Sequence, residues 1–308
     1  MKRALNGFCY AARVASKPTI AIVGAGNLGT ALTLALREAG YPIESVITRS
    51  SGRSPARAMR LARQVGARLV RGPGQVNARV LWLCVPDSEI ALTAASLAAT
   101  FQGTGRIALH SSGALSSDEL QPLRRTGTSV ASVHPMMTFV PRSQPSLRGV
   151  SFAIEGDRAG VQVARRIVRD LGGEAYGIGK TEKRAYHAWG TFASPLLTAL
   201  LATAERVAAL AGVGARTARQ RMIPILLQTV RNYGKLGPAR GFSGPIVRGD
   251  VETVRRHLEV LRSTAVSRQV YVALARAALE YLPAKNKKSL EKLLSSNDRE
   301  SNRAGRLT

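Results

Sequence analysis

A turn with three closely spaced glycines constrains the fold of this chain more than any other feature. In the stretch AIVGAGNLGTAL, Gly24, Gly26 and Gly29 directly follow an apolar run and open an amphipathic stretch. In this context the first glycine permits a tight turn, the second lets a pyrophosphate approach the backbone, and the third lets helix and strand pack closely. The amides of the first helical turn, which includes Asn27, Leu28 and Gly29, would hold the phosphates. The stretch therefore predicts a dinucleotide-binding turn, and a purely structural turn is the alternative.

Short apolar runs alternate with amphipathic stretches from Thr19 to about Gly179. The apolar runs are rich in Val and Ile and indicate strands: TIAIVG, IESVITR, RVLWLCVP, RIALHS, TSVASVHP and VSFAIEG. The stretches between them have helical spacing. Repeated strand, helix, strand units imply a parallel sheet covered by helices on both faces. The predicted fold class is α/β, with a doubly wound Rossmann sheet at 18–179.

Long helical patterns replace the strand signals after Gly179. They extend over three stretches, 181–211, 215–233 and 251–281. We therefore expect an all-helical C-terminal domain at 180–283, followed by a polar, frayed tail at 284–308. At the other end, residues 1–17 are basic and contain no acid, which predicts a disordered leader.

The formal net charge of +26 raises the question of an anionic partner. No recognition helix, paired Cys and His, or aromatic RNA-binding motif accompanies this charge, so we expect no nucleic-acid partner. An affinity for phosphorylated or carboxylated small molecules explains the charge more simply. The two cysteines, Cys9 and Cys84, are far apart and fit neither a disulfide framework nor a metal site. A reducing cytoplasm suits this pattern, and we expect no metal.

One segment, 185–204, lacks charged residues and is long enough to span a membrane. It is interrupted by polar residues and by Gly190 and Pro195. Such a segment is more typical of a helix buried inside a protein, so we expect no membrane association.

The end of the second predicted strand indicates which dinucleotide is bound. An NAD-binding domain has an Asp or Glu there, which accepts from the ribose 2′-hydroxyl. This chain instead has ITRSSGRS, with Arg49, Ser50 and Arg53 and no acid. Cations and hydroxyls match a 2′-phosphate, so the sequence favours NADP over NAD. The alternative is that these residues are a solvated surface of a basic protein.

Three polar clusters follow predicted strands, where open parallel sheets bind ligands. They are VPDSE, HSSGALS and HPMMTF. Val85 and Pro86 are predicted cofactor contacts at the first cluster, and Ser112 in the second is a catalytic candidate. In the third, His134 is a catalytic candidate whose position Pro135 would fix, and Thr138 is a candidate substrate contact. A structural histidine and ordinary Ser-Gly turn chemistry are the alternatives.

A polar stripe crosses the first long helical stretch. Its members are spaced by four, four, three and four residues: Lys183, His187, Thr191, Ser194 and Thr198. The other faces of this helix are apolar, which favours a stripe that lines a cleft over one that faces solvent. Lys183 and His187 are catalytic candidates, because an imidazole exchanges protons near neutral pH. Ser194 is a candidate substrate contact.

The motif GPIVRGD precedes the last long helical stretch. Arg248 could bind a substrate carboxylate bidentately or form an intersubunit ion pair. Asp250 is expected to cap the helix.

Five motifs in this order support a resemblance to a known family: GAGNLGTAL, HSSGALSSDEL, HPMMTF, the YHAW...FAS helix and GPIVRGD. They cover most of the chain from Thr19 to Leu282. The chain resembles a bacterial family of Rossmann-like oxidoreductases with a helical C-terminal domain of unknown function. The wider group is similar to the 6-phosphogluconate dehydrogenase superfamily, which includes pyrroline-5-carboxylate reductases, β-hydroxyacid dehydrogenases, prephenate dehydrogenases and deazaflavin-linked NADP oxidoreductases.

The resemblance implies nicotinamide-dependent hydride transfer, an active site between the two domains, and a homodimer formed through the helical half. The His-Pro motif of prephenate dehydrogenases corresponds to His134, and their preceding serine to Ser112. β-Hydroxyacid dehydrogenases have a Lys and an Asn one helical turn apart, where this chain has Lys183 and His187. The chain departs from its own family at Pro195, where an Asn is usual.

These observations predict an NADP-dependent oxidoreductase that reduces a small carbonyl or imine, or oxidises the matching alcohol or amine. His187 or His134 would handle the proton, and Lys183 or Arg248 would hold an anionic group of the substrate. The alternative is a catalytically silent NADP-binding sensor, which the replacement at Pro195 favours.

Overall fold

The structure, a computed structural model, describes residues 16–48 and 54–304. The chain divides into two compact units, 1–191 and 192–308. The predicted cofactor residues Arg49, Ser50 and Arg53 lie outside the described residues, as does the predicted leader up to residue 15.

The first unit is built on one sheet of eight strands within the described residues. The strands are β1 (Ile20–Val23), β2 (Ile43–Thr48), β3 (Arg68–Arg71), β4 (Val80–Leu83), β5 (Ile107–His110), β6 (Ser129–Pro135), β7 (Ser151–Gly156) and β8 (Glu174–Gly177). Their order is β3-β2-β1-β4-β5-β6-β7-β8. Each neighbouring pair is parallel except β6 and β7, which are antiparallel. The predicted α/β Rossmann fold is confirmed, with one antiparallel step that the strand pattern did not reveal.

Helices cover both faces of this sheet. They are α1 (Asn27–Glu38), α2 (Ser54–Val65), α3 (Ile90–Leu97), α4 (Gln121–Arg124) and α5 (Arg158–Asp170). A further helix, α6 (Lys183–Ala193), follows β8 and continues past the boundary between the units. Alternate residues of a strand point to opposite faces. In β1, Ile20 and Ile22 accordingly join one apolar cluster, and Ala21 and Val23 join the other. Strand β1 is thus buried on both faces, as expected for a central strand of a doubly wound sheet.

The second unit is helical throughout its described part. It contains α7 (Pro195–Leu210), α8 (Ala215–Gly241), α9 (Pro245–Arg248), α10 (Val251–Val260), α11 (Ala265–Tyr281) and α12 (Lys287–Ala304). Helix α8 is interrupted at Gly237, which has a φ of 76° and directly precedes Pro238. Asp250 caps α10 by accepting from the amide of Thr253 at 3.0 Å, which confirms the predicted role.

Three predictions for the helical region were wrong. The long helix expected over 251–281 is α10 and α11, which are separated by the non-helical Thr264. The frayed tail is instead helix α12, because Leu290 and Leu294, one turn apart, are buried against α10 and α11. The long helix expected over 181–211 is two helices, because Ser194 has non-helical φ and ψ of −129° and −78°, and Pro195 begins α7. The predicted polar stripe is therefore divided between α6 and α7.

One helical stretch of the described residues, 183–210, is long and apolar enough to cross a membrane by length and composition alone. The break at Ser194 lies within it. The expectation of no membrane association stays a prediction.

Candidate functional site

The glycine turn between β1 and α1 has the geometry of a phosphate cradle. Gly24 has a φ of 97°, and a Cβ there would lie 2.5 Å from the carbonyl oxygen of Cys84. A Cβ at Gly29 would overlap the carbonyl oxygen of Gly24. In contrast, no atom lies within 4 Å of a Cβ built at Gly26. Two of the glycines are therefore required by close packing, and the third leaves the backbone open to a ligand.

The start of α1 offers backbone donors to that open space. Gly26 is the N-cap, and its carbonyl accepts from the amide of Thr30 at 2.9 Å. The amides of residues 27–29 precede this first bond and have no partner within the helix. The first turn of α1 contains no acidic residue, so the positive end of the helix is available to an anion.

A cavity of about 530 Å³ adjoins the turn at the carboxyl ends of β1, β2 and β4. Its walls include four of the predicted cofactor residues, which are Gly24, Gly26, Val85 and Pro86. Among the described residues of this lining, Glu89 alone is charged. This edge of an open α/β sheet is where ligands bind in such folds.

A cation that the sequence analysis did not single out lies beside the glycine turn. The Arg57 guanidinium, in the first turn of α2, donates to Asn27 Oδ1 at 3.0 Å. The Asn27 amide donates in turn to the carbonyl oxygen of Phe139 at 3.2 Å. Asn27 thus joins the turn to α2 and to the loop after β6. A basic residue in the first turn of the helix after the second strand was the signal that could have identified Arg57.

The two histidines predicted from separate motifs lie close together. His134, near the end of β6, and His187, on α6, have ring centroids 6.1 Å apart and ring planes at 81°. Both rings approach Gly113: a Cβ there would lie 2.7 Å from His187 Cδ2 and 2.8 Å from His134 Nε2. Gly113, which the sequence analysis did not assign a role, is the residue that lets the imidazoles converge.

His134 is half-buried and contacts a tyrosine from α6. Its Nδ1 lies 2.7 Å from the hydroxyl of Tyr186. Burial, followed by the nearby charges of Lys183 and His187, lowers the pKa of His134 to about 4. The imidazole of His134 is therefore neutral at neutral pH.

The hydroxyl of Ser112 is engaged in holding its own loop. It donates to Asp87 Oδ2 at 2.9 Å and accepts from the amides of Leu115 at 2.9 Å and Ala114 at 3.2 Å. Since Asp87 directly follows Pro86, this bond also joins the loop to the wall of the cavity.

Lys183 is fully buried beneath the same loop. Its ammonium donates to the carbonyl oxygen of Ser112 at 3.0 Å and to Ser132 Oγ at 2.7 Å. Burial lowers its pKa from the ordinary lysine value. Lys183 thus ties α6, which carries His187, to the loop that carries Gly113.

The start of this loop is fixed by a second buried histidine. His110 accepts from the amide of Ser112 through Nδ1 at 3.1 Å, so its proton is on Nε2, which lies 3.0 Å from the carbonyl oxygen of Ser116. Burial lowers the pKa of His110 to about 4. Glu155 holds the next residue by accepting from the amide and the hydroxyl of Ser117 at 2.6 and 2.8 Å. The backbone from 110 to 117 is therefore held in place from several sides.

The other predicted site residues lie apart from this cluster or in the second unit. Thr138 is exposed in the loop after β6. Ser194 precedes α7, and Arg248 is the last residue of α9. Their contact with a substrate stays a prediction. Residues 16–48 and 54–304 contain no group of three or more side chains suited to a metal ion.

Family models match two adjoining parts of the chain. Residues 11–135 match a Rossmann-like domain, and residues 150–278 match a domain of unknown function, DUF2520. The chain pairs a Rossmann-like domain with a DUF2520 domain. This is the arrangement that the five ordered motifs predicted. No curated protein sequence matches the chain.

Several solved structures share the fold of this chain. A candidate NADP oxidoreductase from Bacteroides fragilis is 22% identical, with a TM-score of 0.71 over 85% of this chain and 97% of that one. A pyrroline-5-carboxylate reductase from Coxiella burnetii is 15% identical, with a TM-score of 0.56 over 90% and 99%. A reductive aminase from Aspergillus terreus, in complex with NADPH and ethyl-5-oxohexanoate, is 17% identical, with a TM-score of 0.59 over 86% and 94%.

Proposed function

We propose that this protein is an NADP-dependent oxidoreductase that transfers a hydride to or from a small carbonyl or imine, or the corresponding alcohol or amine. The observation that carries the proposal is the glycine turn: Gly24 and Gly29 are fixed by close contacts, whereas Gly26 is open. The turn adjoins a cavity of about 530 Å³ at the edge of the sheet where dinucleotides bind. The proposal is further supported by the fold shared with the NADPH-bound reductive aminase.

The residues around the cavity fit a phosphorylated dinucleotide. The amides of residues 27–29 would hold the pyrophosphate, and Gly26 would let it approach the backbone. Arg57 is one cation beside this position. Arg49, Ser50 and Arg53 remain the proposed contacts of the 2′-phosphate, and they favour NADP over NAD. When bound, the cofactor supplies the hydride.

The two converging imidazoles are the groups proposed to handle the proton. His134 is neutral at neutral pH, since its pKa is lowered to about 4, and it serves as a hydrogen-bond donor to a carbonyl oxygen or imine nitrogen. His187 is exposed on α6 and exchanges the proton with solvent. The Ser112 hydroxyl, which donates to Asp87, and the Asn27 amide, which donates to the carbonyl oxygen of Phe139, join this pair to the residues around the cofactor cavity.

Ser112 and Lys183 are proposed to act through the loop. Their polar groups are buried and satisfied by Asp87, Ser132 and backbone atoms. Both residues therefore position Gly113 and the imidazoles, and contact with substrate is assigned to other groups. Arg248, Ser194 and Thr138 remain proposed substrate contacts, and the net charge of +26 supports an anionic substrate.

We further propose a cytoplasmic homodimer formed through the helical unit. Helix α7 contains no buried residue, and α8 buries only Ala218 among its described residues. Large apolar side chains on α8 are more than 60% exposed: Ile225 at 66%, Val230 at 63% and Tyr233 at 63%. Exposed large apolar side chains in this number are typical of an interface.

A catalytically silent NADP-binding sensor is the second candidate. Pro195 favours this candidate, because it replaces the asparagine that is usual at this position in the family that the chain resembles. Pro195 begins α7 directly after the non-helical Ser194. Such a protein would bind the dinucleotide without turnover.

The two candidates are separated by an activity assay. NADPH oxidation is followed at neutral pH with a panel of small 2-oxo acids, each with and without ammonium or a primary amine. Consumption of NADPH with any member supports the oxidoreductase. Tight NADPH binding without consumption across the panel would contradict it and support the sensor.

A further inference from the structure

Tyr186 contacts Nδ1 of His134, whereas the other ring nitrogen, Nε2, approaches Gly113. The phenolic oxygen lies 2.7 Å from His134 Nδ1, whereas the same oxygen is 3.5 Å from the carbonyl oxygen of His134. The first distance is that of a strong hydrogen bond, and the second is at the limit of one. The contact of Tyr186 with Nδ1 is therefore the bond that matters for this imidazole.

The direction of this bond follows from the chemistry of its two groups. A neutral imidazole has one N–H and one acceptor nitrogen, and a phenolic O–H is a stronger donor than a neutral imidazole N–H. Burial, followed by Tyr176, raises the pKa of Tyr186 well above its usual range, so the phenol keeps its proton. The arrangement that satisfies both groups has the Tyr186 hydroxyl donating to Nδ1 of His134.

We infer that Tyr186 is a positioning residue that fixes His134 in the tautomer with its proton on Nε2. Nε2 is the ring nitrogen that approaches Gly113, at 2.8 Å from the site of a Cβ there. His134 thus faces His187 and the loop as a neutral donor, ready to bind an oxygen or nitrogen atom that gains electron density. The catalytic consequence rests on the proposed function, whereas the tautomer itself does not.

The surroundings of Tyr186 hold the phenol in place for this role. Its ring is buried and makes edge contacts with Tyr176 at 6.3 Å and with Trp189 at 6.2 Å between centroids. It lies three residues after Lys183 and directly before His187 on α6. One short helical segment therefore carries the residue that ties down the loop, the residue that orients one imidazole, and the second imidazole.

The tautomer is measured by long-range ¹H–¹⁵N correlation on protein labelled at its four histidines, at pH 7 and without cofactor. The ring signals of His134 are assigned from the His134→Gln variant. His110 provides an internal reference, because the Ser112 amide fixes its proton on Nε2. We expect His134 to show the same Nε2–H pattern as His110. An Nδ1–H pattern in the unaltered protein would overturn the inference, whether or not any variant folds.

Two matched variants then test the role of the hydroxyl. Tyr186→Phe removes the donor, and we expect the His134 signals to shift to a mixture of tautomers. Tyr176→Phe removes a hydroxyl of the same cluster and should leave the Nε2–H pattern in place. Unchanged His134 signals in Tyr186→Phe would contradict the inference.

With an active substrate in hand, Tyr186→Phe should lower kcat about tenfold with no change in the Kd for NADPH. Failure to bind NADPH would contradict the proposed function and leave the tautomer result standing, so the two failures are distinguishable.

Discussion

The two units of this protein differ in how completely they bury their own apolar residues. The first unit covers both faces of its sheet and leaves Trp82, Phe101 and Phe152 fully buried. The second has a small core around Val254 and Leu258, whereas α7 and α8 leave most of their apolar side chains exposed. Exposed apolar surface on this scale is costly in water. This difference in burial is the observation on which the proposed homodimer rests.

The largest effect is expected at the glycine turn, which is the proposed cofactor-binding site of the first unit. Gly26→Asp places a carboxylate where the pyrophosphate would lie, and NADPH binding should weaken by at least about a thousandfold through charge repulsion and steric overlap. The space around Gly26 is open, so the melting temperature should change little. Isothermal titration calorimetry measures the affinity.

Gly214→Asp is the matched control. Gly214 is the N-cap of α8, with extended backbone and no atom within 4 Å of a Cβ, as at Gly26. This variant should bind NADPH normally. Equal loss of binding in both variants would show that the turn has no special role.

The next effect is expected at the meeting point of the imidazoles. Gly113→Ala adds a methyl group that would press against His134 and His187. Turnover should fall about a hundredfold with little change in NADPH affinity, because a displacement of catalytic groups by about 1 Å has this effect. Steady-state kinetics checks the prediction, and Gly214→Ala, at an open position, should be neutral. Normal kcat in Gly113→Ala would mean that the imidazole pair is not the proton-handling site.

Glutamate substitutions on α8 test whether the exposed apolar side chains of the second unit form the proposed dimer interface. The double change Ile225→Glu and Val230→Glu should raise the dimer dissociation constant about a hundredfold, because carboxylates buried at an apolar interface pay for desolvation. Size-exclusion chromatography with light scattering reports the mass. Val140→Glu, at an exposed apolar residue of the first unit, should leave the dimer intact. If the unaltered protein is a monomer, the proposed homodimer through the second unit is wrong.

A smaller effect is expected from the buried lysine. Lys183→Met keeps most of the side-chain volume but removes the bonds to Ser112 and Ser132. The loop should loosen, and kcat should fall about tenfold at constant NADPH affinity. Lys180→Met, which removes an exposed ion pair with Asp118, is the control and should keep full activity. A complete loss of turnover in Lys183→Met would instead assign the ammonium a direct role in the chemistry.

The smallest effect concerns stability against pH in the first unit. The pKa of His110 is lowered to about 4, so below its ordinary value of about 6.5 the unfolded chain binds a proton that the folded protein does not. The free energy of unfolding should therefore fall with decreasing pH, by about 1 kcal/mol from this residue between pH 7 and pH 5.5. Urea denaturation at both pH values measures the change. His110→Asn should reduce the pH dependence, and an unchanged pH dependence in this variant would contradict the prediction.

The sequence predicted those parts of the molecule that depend on local pattern. The glycine turn was predictable because its spacing and its flanking strand and helix are contiguous. Strands β3 and β8 escaped notice because RLVR and EAYG are short and have few buried apolar residues. Helix α12 was missed because its stretch is mostly polar and charged, with few apolar residues such as the buried Leu290 and Leu294.

The arrangement of the imidazole site could not be predicted in the same way. Lys183 and the carbonyl oxygen of Ser112 are 71 residues apart, and their bond arises from the packing of α6 against the loop after β5. The convergence of His134 and His187 on Gly113 likewise joins three separate elements. A sequence pattern identifies such residues one at a time, and the fold decides which of them meet.

The central claim is that the turn between β1 and α1 binds a phosphorylated nicotinamide dinucleotide. Calorimetric titration of the folded, unaltered protein with NADPH and with NADH tests it directly. We expect saturable binding of NADPH with one site per chain, and weaker binding of NADH. The absence of binding heat at several temperatures with both dinucleotides, together with no shift in melting temperature, would contradict the claim.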